Sequence, residues 1–93
     1  MLTLPIKKKW FDMIKSGEKK EEYREIKPYY QIRLNKWAYT GTHTILLRNG
    51  YSKTSRTLEC ECFVEIDYGK EEWGAEPNKM YYVLKILSVE EVK

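Results

Sequence analysis

An alternation of apolar and polar residues from Thr57 to Asp67 constrains the fold of this chain more than any other feature. Apolar or small side chains stand at every second position, and the positions between them are mostly acidic: Leu58, Cys60, Cys62, Val64 and Ile66 alternate with Thr57, Glu59, Glu61, Phe63, Glu65 and Asp67. Successive side chains of a β-strand point to opposite faces of its sheet. We therefore predict a strand with one face in a core and the other in water.

A second long segment, from Met80 to Val89, is apolar at both odd and even positions. That pattern predicts a central strand that is covered on both faces. Shorter strands are predicted in three places: from Leu2 to Leu4, from Glu21 to Ile26, and from His43 to Arg48 before the Asn49-Gly50 turn. The segment from Lys70 to Lys79, with Trp73, Gly74 and Pro77, is predicted to be an irregular loop.

Two short helices are predicted between these strands. The first has an apolar stripe at helical spacing, formed by Ile6, Trp10, Met13 and Ile14. Pro5 suits its first turn, and Gly17 is able to close it in the left-handed conformation. The second begins at Pro28, carries Tyr30, Leu34 and Trp37 on one face, and ends before Gly41.

Together these elements predict a single α+β domain over residues 1–93. A chain of 93 residues is long enough for one modest core, and its hydrophobic fraction of 42% is typical of a folded globule. Several strands with two helices favour a small, strongly bent sheet or barrel with the helices packed beside it.

The charge balance excludes a strong polyanion binder that acts through its overall charge. There are 17 basic and 14 acidic residues, which gives a net charge of +3. Basic residues are richer in the first part of the chain, and acidic residues gather in the later part. We therefore expect a positive and a negative side, and any nucleic-acid affinity must come from a local patch.

The apolar segments are too short to span a bilayer, and the N-terminus has no hydrophobic signal core. Cys60 and Cys62 share one face of the predicted strand, which favours core packing over a mutual disulfide. His43 is the only histidine, so no metal site is expected, and no cofactor motif is present. We expect a cytoplasmic protein that requires no cofactor and does not bind a membrane.

The octet from Gly17 to Arg24, GEKKEEYR, concentrates charged side chains directly after the first helix. On a strand, Glu22 and Arg24 point to the same face, and Lys19 in the preceding turn is able to reach the same place. Such a group is suited to holding a polar ligand by charge and by fork-shaped hydrogen bonds. A mutually neutralising ion network on the surface is the alternative interpretation.

The segment LPIKKKWFDMIKSGEKKEEYREI resembles the opening of the ASCH domain, a small RNA-associated relative of the PUA fold. Its signature, GxKxxExR after the first helix, is matched by Gly17, Lys19, Glu22 and Arg24. The segment from Met80 to Val92 is similar to the closing strand of such domains. The resemblance implies a PUA-like β-barrel with a ligand cleft between the barrel and its helices, and it places Lys19, Glu22 and Arg24 in that cleft.

The function that we expect from the residues and the resemblance is binding of RNA or of a nucleoside-like ligand by a monomer. Arg24 is expected to contact a phosphate or a base edge, while Glu22 accepts a hydrogen bond from a base or orients Arg24 and Lys19. Trp73 is a candidate for base stacking, with a lid over the core as the alternative. Tyr51 is a weaker candidate, for which packing of the turn is the alternative.

Two other functions remain open. Some small ASCH proteins are amidohydrolases that remove the acetyl group of N4-acetylcytidine with a lysine, a threonine and a glutamate. Lys19 matches that lysine, but Glu22 stands at the threonine position, and a carboxylate does not replace a hydroxyl in acyl transfer. In this alternative Glu22 acts as a general base on water, Lys19 stabilises the oxyanion, and Glu72 or Glu76 supplies a second carboxylate. The third candidate is a protein-interaction module that uses the acidic strand face and the aromatic loop, with the segment from Thr57 to Asp67 suggested as an edge strand.

Overall fold

The computed structural model describes residues 1–93, which form an α+β fold with a five-stranded sheet curled into a half-barrel. The elements in chain order are β1 (Leu2–Ile6), α1 (Lys8–Ser16), β2 (Glu21–Glu25), α2 (Pro28–Leu34), β3 (Thr42–Asn49), β4 (Thr57–Tyr68) and β5 (Met80–Glu91). Short 3-10 turns follow α2 at Asn35–Trp37 and precede β5 at Glu71–Trp73. The predicted strands and helices are therefore all present.

The strands are ordered β1-β3-β4-β5-β2, so that β1 and β2 are the two edges of the sheet. The β1–β3 pair is parallel and the other pairs are antiparallel. The suggestion that the segment from Thr57 to Asp67 is an edge is wrong, because β4 lies in the middle of the sheet and is paired along both sides.

The alternation along β4 is confirmed from Leu58 onward, whereas Thr57, which was predicted on the wet face, is buried. Leu58, Cys60, Cys62 and Val64 are completely buried in a core that also contains residues from every other strand except β2 and from both helices. Ile66 packs at the margin of this core. A bulge at Glu61 and Cys62 shifts the register against β5, which helps the sheet to curl.

The prediction that β5 is covered on both faces is confirmed only for its first half. Tyr82 and Leu84 face the main core, while Tyr81 and Val83 form a second buried cluster with Tyr23 and Ala75. Leu87, also predicted to be covered, is 61% exposed. The cover ends because β2 begins only at Glu21, opposite Lys85, so β5 has no partner strand on that side beyond Ile86.

The first helix begins later than predicted. Pro5 lies in β1 and not in the first turn of α1, because β1 extends to Ile6 in register with β3. A proline is tolerated there because β1 is an edge strand and its missing N–H faces no partner strand. The end of α1 is confirmed: Gly17 has a φ of 86° and donates its N–H to the carbonyl of Ile14 at 3.1 Å.

The second helix begins at Pro28, as predicted, and its apolar stripe is confirmed. Leu34 is completely buried, and Tyr30 and Trp37 pack partly against the main core. Trp37 also stacks on His43, with 4.5 Å between ring centroids. Neither helix has the length and apolar character that crossing a membrane requires.

We expect the free energy of unfolding to fall at alkaline pH because of the two core cysteines. Burial raises the pKa of the Cys60 thiol to about 12 and that of Cys62 to about 11. Above pH 9 these thiols ionise in the unfolded chain but not in the folded one, so unfolding releases protons. The free energy of unfolding, measured by urea titration, should drop by roughly 2–3 kcal/mol between pH 8 and pH 10.

The matched control is the double variant Cys60→Ala and Cys62→Ala, which keeps every other titrating group. It should start from a lower stability but lose clearly less between the two pH values. An equal loss in both proteins would contradict the assignment.

Candidate functional site

The junction between α1 and β2 brings the predicted charged residues together. After the turn at Gly17, the backbone N–H of Lys19 donates to the carbonyl of Met13 at 2.9 Å, which fixes Lys19 against the end of α1. β2 then presents Glu22 and Arg24 on one face, as the alternation of a strand requires. The predicted convergence of Lys19, Glu22 and Arg24 is present in the structure.

Lys19 is only 2% exposed, which is rare for a lysine. Its ammonium group donates to the backbone carbonyl of Trp73 and lies 3.2 Å from the Glu22 carboxylate. The rings of Trp10 and Tyr23 lie 4.5 and 5.0 Å from Nζ, within the range of cation–π attraction. Burial lowers the pKa of Lys19 from its ordinary value, although the Glu22 charge opposes that shift.

Glu22 bridges the two cations and is 4% exposed. One carboxylate oxygen faces Lys19, and the other forms a close ion pair with Nη1 of Arg24. The ion network is therefore buried, and the alternative interpretation, a network on the surface, is wrong. Two positive charges and one negative charge leave a net charge of +1 in this group, which we call the charged cluster.

Arg24, whose side chain is 12% exposed, links the two edges of the sheet. Its Nη1 also donates to the carbonyl of Tyr23 at 2.9 Å, and its Nη2 donates to the carbonyl of Pro5 at 2.8 Å. Pro5 belongs to β1 and Arg24 to β2, so this bond spans the open side of the half-barrel. Two of the five guanidinium N–H groups have no acceptor in the protein.

A small cavity of about 130 Å³ lies against the charged cluster. Three of its lining residues form the charged cluster, and four others are aromatic. The full lining is Trp10, Lys19, Glu22, Tyr23, Arg24, Trp73, Gly74 and Tyr81. A planar group in such a cavity would meet rings on several sides and positive charge at one end.

The loop that carries Trp73 closes this cavity. Lys19 holds it through the Trp73 carbonyl, and the Tyr23 hydroxyl accepts from the Lys70 N–H at 2.9 Å. Gly74 has a φ of 101°, and a Cβ there would lie 3.0 Å from the Trp10 ring. Only glycine allows so close an approach in that conformation. Burial also raises the pKa of the Tyr23 hydroxyl, which keeps that hydroxyl protonated.

The remaining candidates lie at different places. Trp73 lines the cavity, both as a ring and through its carbonyl. Tyr51 does not: it is 88% exposed and lies beside the β3–β4 turn. Glu72 lines a separate depression on the loop, and Glu76 pairs with Lys79 at 3.1 Å, so neither carboxylate lines the cavity.

Sequence reasoning missed three aromatic residues of the cavity. The apolar stripe predicts Trp10 only as a core residue of α1. Tyr23 alternates with Glu22 and Arg24 along β2, so the alternation predicts it on the other face, yet its ring reaches Lys19. Tyr81 lines the cavity because β5 pairs with β2, which places Tyr81 opposite Glu25. No local sequence pattern encodes that long-range register.

Cys60 and Cys62 are free thiols in the core, and no group of three or more His, Cys, Asp or Glu residues is arranged to hold a metal ion. Comparisons of the chain with protein-family models, with curated proteins and with solved structures find no match.

Removing the negative charge of the cluster should destabilise the fold strongly. In Glu22→Gln the buried charges of Lys19 and Arg24 lose their counter-ion, which typically costs about 3–5 kcal/mol. Urea unfolding at pH 7 checks this value. The control is Asp12→Asn, which breaks the exposed Lys8–Asp12 pair of 2.7 Å and should leave stability nearly unchanged. An equal change in the free energy of unfolding for the two substitutions would show that Glu22 is not the counter-ion of buried cations.

Proposed function

We propose that this chain is an RNA- or nucleotide-binding domain whose ligand enters the cavity at the charged cluster. The observation that carries the proposal is a buried cluster with two cations and one anion beneath a wall of aromatic rings. Its net positive charge favours an anion or an electron-rich oxygen, and the rings favour a planar base. Nucleotides combine both properties.

A purely structural role accounts poorly for the cluster. Buried ion pairs seldom stabilise a fold more than apolar side chains of similar size would. The bond from Arg24 to Pro5 joins the sheet edges, but that task alone does not call for a buried cluster with a net positive charge beside a cavity. Ionisable groups with perturbed pKa values beside a cavity are more typical of binding and catalytic sites.

Each charged residue has a distinct role in the proposed complex. Arg24 retains two N–H donors and contacts a phosphate or the carbonyl edge of a base. Lys19 supplies the nearest point charge, and Glu22 orients both cations. Trp10 and Trp73 supply the stacking surfaces.

In the proposed mode the ligand displaces the Trp73 loop. The cavity of about 130 Å³ is smaller than the roughly 300–1,000 Å³ of ordinary ligand pockets. An incoming oxygen would therefore replace the Trp73 carbonyl as the acceptor for Lys19. The loop then moves outward while its tryptophan stacks on the base.

The proposal includes membership of the ASCH family and a PUA-like type of barrel. It is supported by the four matching residues of the octet, by the half-barrel with two helices, and by a cavity between α1 and the sheet. A monomer in the cytoplasm is part of the same proposal, and the two free cysteines are typical of a reducing compartment.

We favour binding over the amidohydrolase alternative. The alternative drew a second carboxylate from Glu72 or Glu76, and neither residue lines the cavity. One oxygen of Glu22 is also paired with Lys19 and the other with Arg24, so neither is free to take a proton from an attacking water.

An amide NMR titration with cytidine 5′-monophosphate, N4-acetylcytidine and a short single-stranded RNA tests the proposal, with acetate release followed in parallel. We expect shifts at Lys19, Glu22, Arg24 and residues 73–75, and no acetate. Arg24→Gln, once the dispersion of its amide spectrum shows that it is folded, should bind about tenfold or more weakly, because a charge-assisted hydrogen bond contributes about 1.5–3 kcal/mol.

Arg33→Gln is the matched control. Arg33 also donates to a backbone carbonyl, that of Tyr29, and stacks on that ring, but it lies outside the cavity. Arg33→Gln should therefore change the affinity for these ligands only slightly, by the effect of one positive charge remote from the cavity. Absence of shifts at the cluster would overturn the binding proposal, and acetate release by the wild-type protein would replace it with the hydrolase.

A further inference from the structure

A second depression, of about 450 Å³, lies where the end of β1 meets the β3–β4 turn. Its lining residues are Pro5, Ile6, Lys7, Lys8, Asn49, Gly50 and Tyr51. We call it the turn groove. The N–H of Gly50 donates to the carbonyl of Ile6 at 3.3 Å, which holds the turn against β1 and forms the floor of the groove.

The chemistry of the turn groove suits a nucleic-acid strand. Lys7 has no acidic partner, Lys8 has only the exposed Asp12, and no acidic residue lines the groove. The Tyr51 ring is almost fully exposed beside these cations. By contrast, the depression over β4 and β5 is lined by Glu59, Glu61 and Glu90, and that on the loop by Glu71 and Glu72. Lysines contact phosphates, and an exposed tyrosine provides a surface for a base.

The turn groove adjoins the cavity at the charged cluster. Pro5 lines the groove, and its carbonyl is bonded to Arg24, which lines the cavity. Lys7 directly precedes α1, and Trp10, which lines the cavity, lies in the first turn of that helix. A strand with one nucleotide in the cavity therefore has a path into the turn groove past Pro5 and Lys7.

From this arrangement we propose that the ligand is a single-stranded oligonucleotide, with one nucleotide in the cavity and the adjoining phosphates and a base in the turn groove. This inference rests on the proposed function and narrows it. A free nucleoside or mononucleotide would leave the groove empty and bind more weakly. The groove contacts phosphates and a ring face, so it adds affinity without reading the sequence.

The test compares uridine 5′-monophosphate with oligouridylates of four and eight nucleotides, by NMR and by fluorescence anisotropy at two salt concentrations. We expect the tetranucleotide to bind at least tenfold more tightly than the mononucleotide. The groove variant, Lys7→Gln with Tyr51→Ala, should lose most of that gain and keep the affinity for the mononucleotide. Its slope of log affinity against log salt should also decrease by about 0.7, since one phosphate contact is lost.

The matched control is Lys36→Gln with Tyr68→Ala, which changes the same residue types at exposed positions outside both sites. It should retain the gain with length. All four residues are at the surface, and far-UV circular dichroism confirms folding.

The possible failures are distinct. Equal affinity for mononucleotide and tetranucleotide, with shifts at the cluster, would overturn the groove and leave the cavity. A length gain that depends on the groove but is unaffected by Arg24→Gln would support the groove and overturn the cavity. No binding of any of these ligands would overturn both.

Discussion

The bond from Arg24 to the carbonyl of Pro5 is the interaction on which the arrangement of this molecule depends. It joins the two edge strands of a sheet that does not close by strand pairing. The guanidinium is held in position by Glu22, and Glu22 in turn is held by Lys19. Closure of the half-barrel and assembly of the charged cluster are thus consequences of the same three side chains.

The buried positive charge of Lys19 is stabilised by groups from three surrounding elements. Lys19 is compensated by a carboxylate, by a backbone carbonyl and by two aromatic rings, which come from α1, β2 and the Trp73 loop. Burying this lysine costs desolvation free energy, and each of these partners offsets only part of that cost. The loop therefore depends on Lys19 for its position, and Lys19 depends on the loop for an acceptor.

Local patterns in the sequence were sufficient for most of the fold. The alternation of β4, the glycine end of α1 and the proline start of α2 are properties of neighbouring residues, and all three are present. Long-range pairing was not accessible in this way. The extension of β1 through Pro5 depends on its register with β3, more than forty residues later, and the exposure of Leu87 depends on where β2 begins. At the site, the convergence of Lys19, Glu22 and Arg24 followed from spacing, whereas the carbonyl of Trp73 is a backbone group that no residue pattern reveals.

The internal compensation of the cluster also limits what the proposed site can accept. Glu22 already neutralises one of the two cations, so the cavity favours one negative charge or a strong carbonyl dipole, not a dense polyanion. Because the Trp73 carbonyl is the acceptor to be replaced, a ligand that offers only donors gains nothing from Lys19 and leaves it unpaired. A base edge with a carbonyl oxygen, or a single phosphate, meets that requirement. Selectivity in the proposed complex therefore comes from exchanging one oxygen acceptor for another at a buried ammonium group, while affinity for longer strands comes from charges outside it.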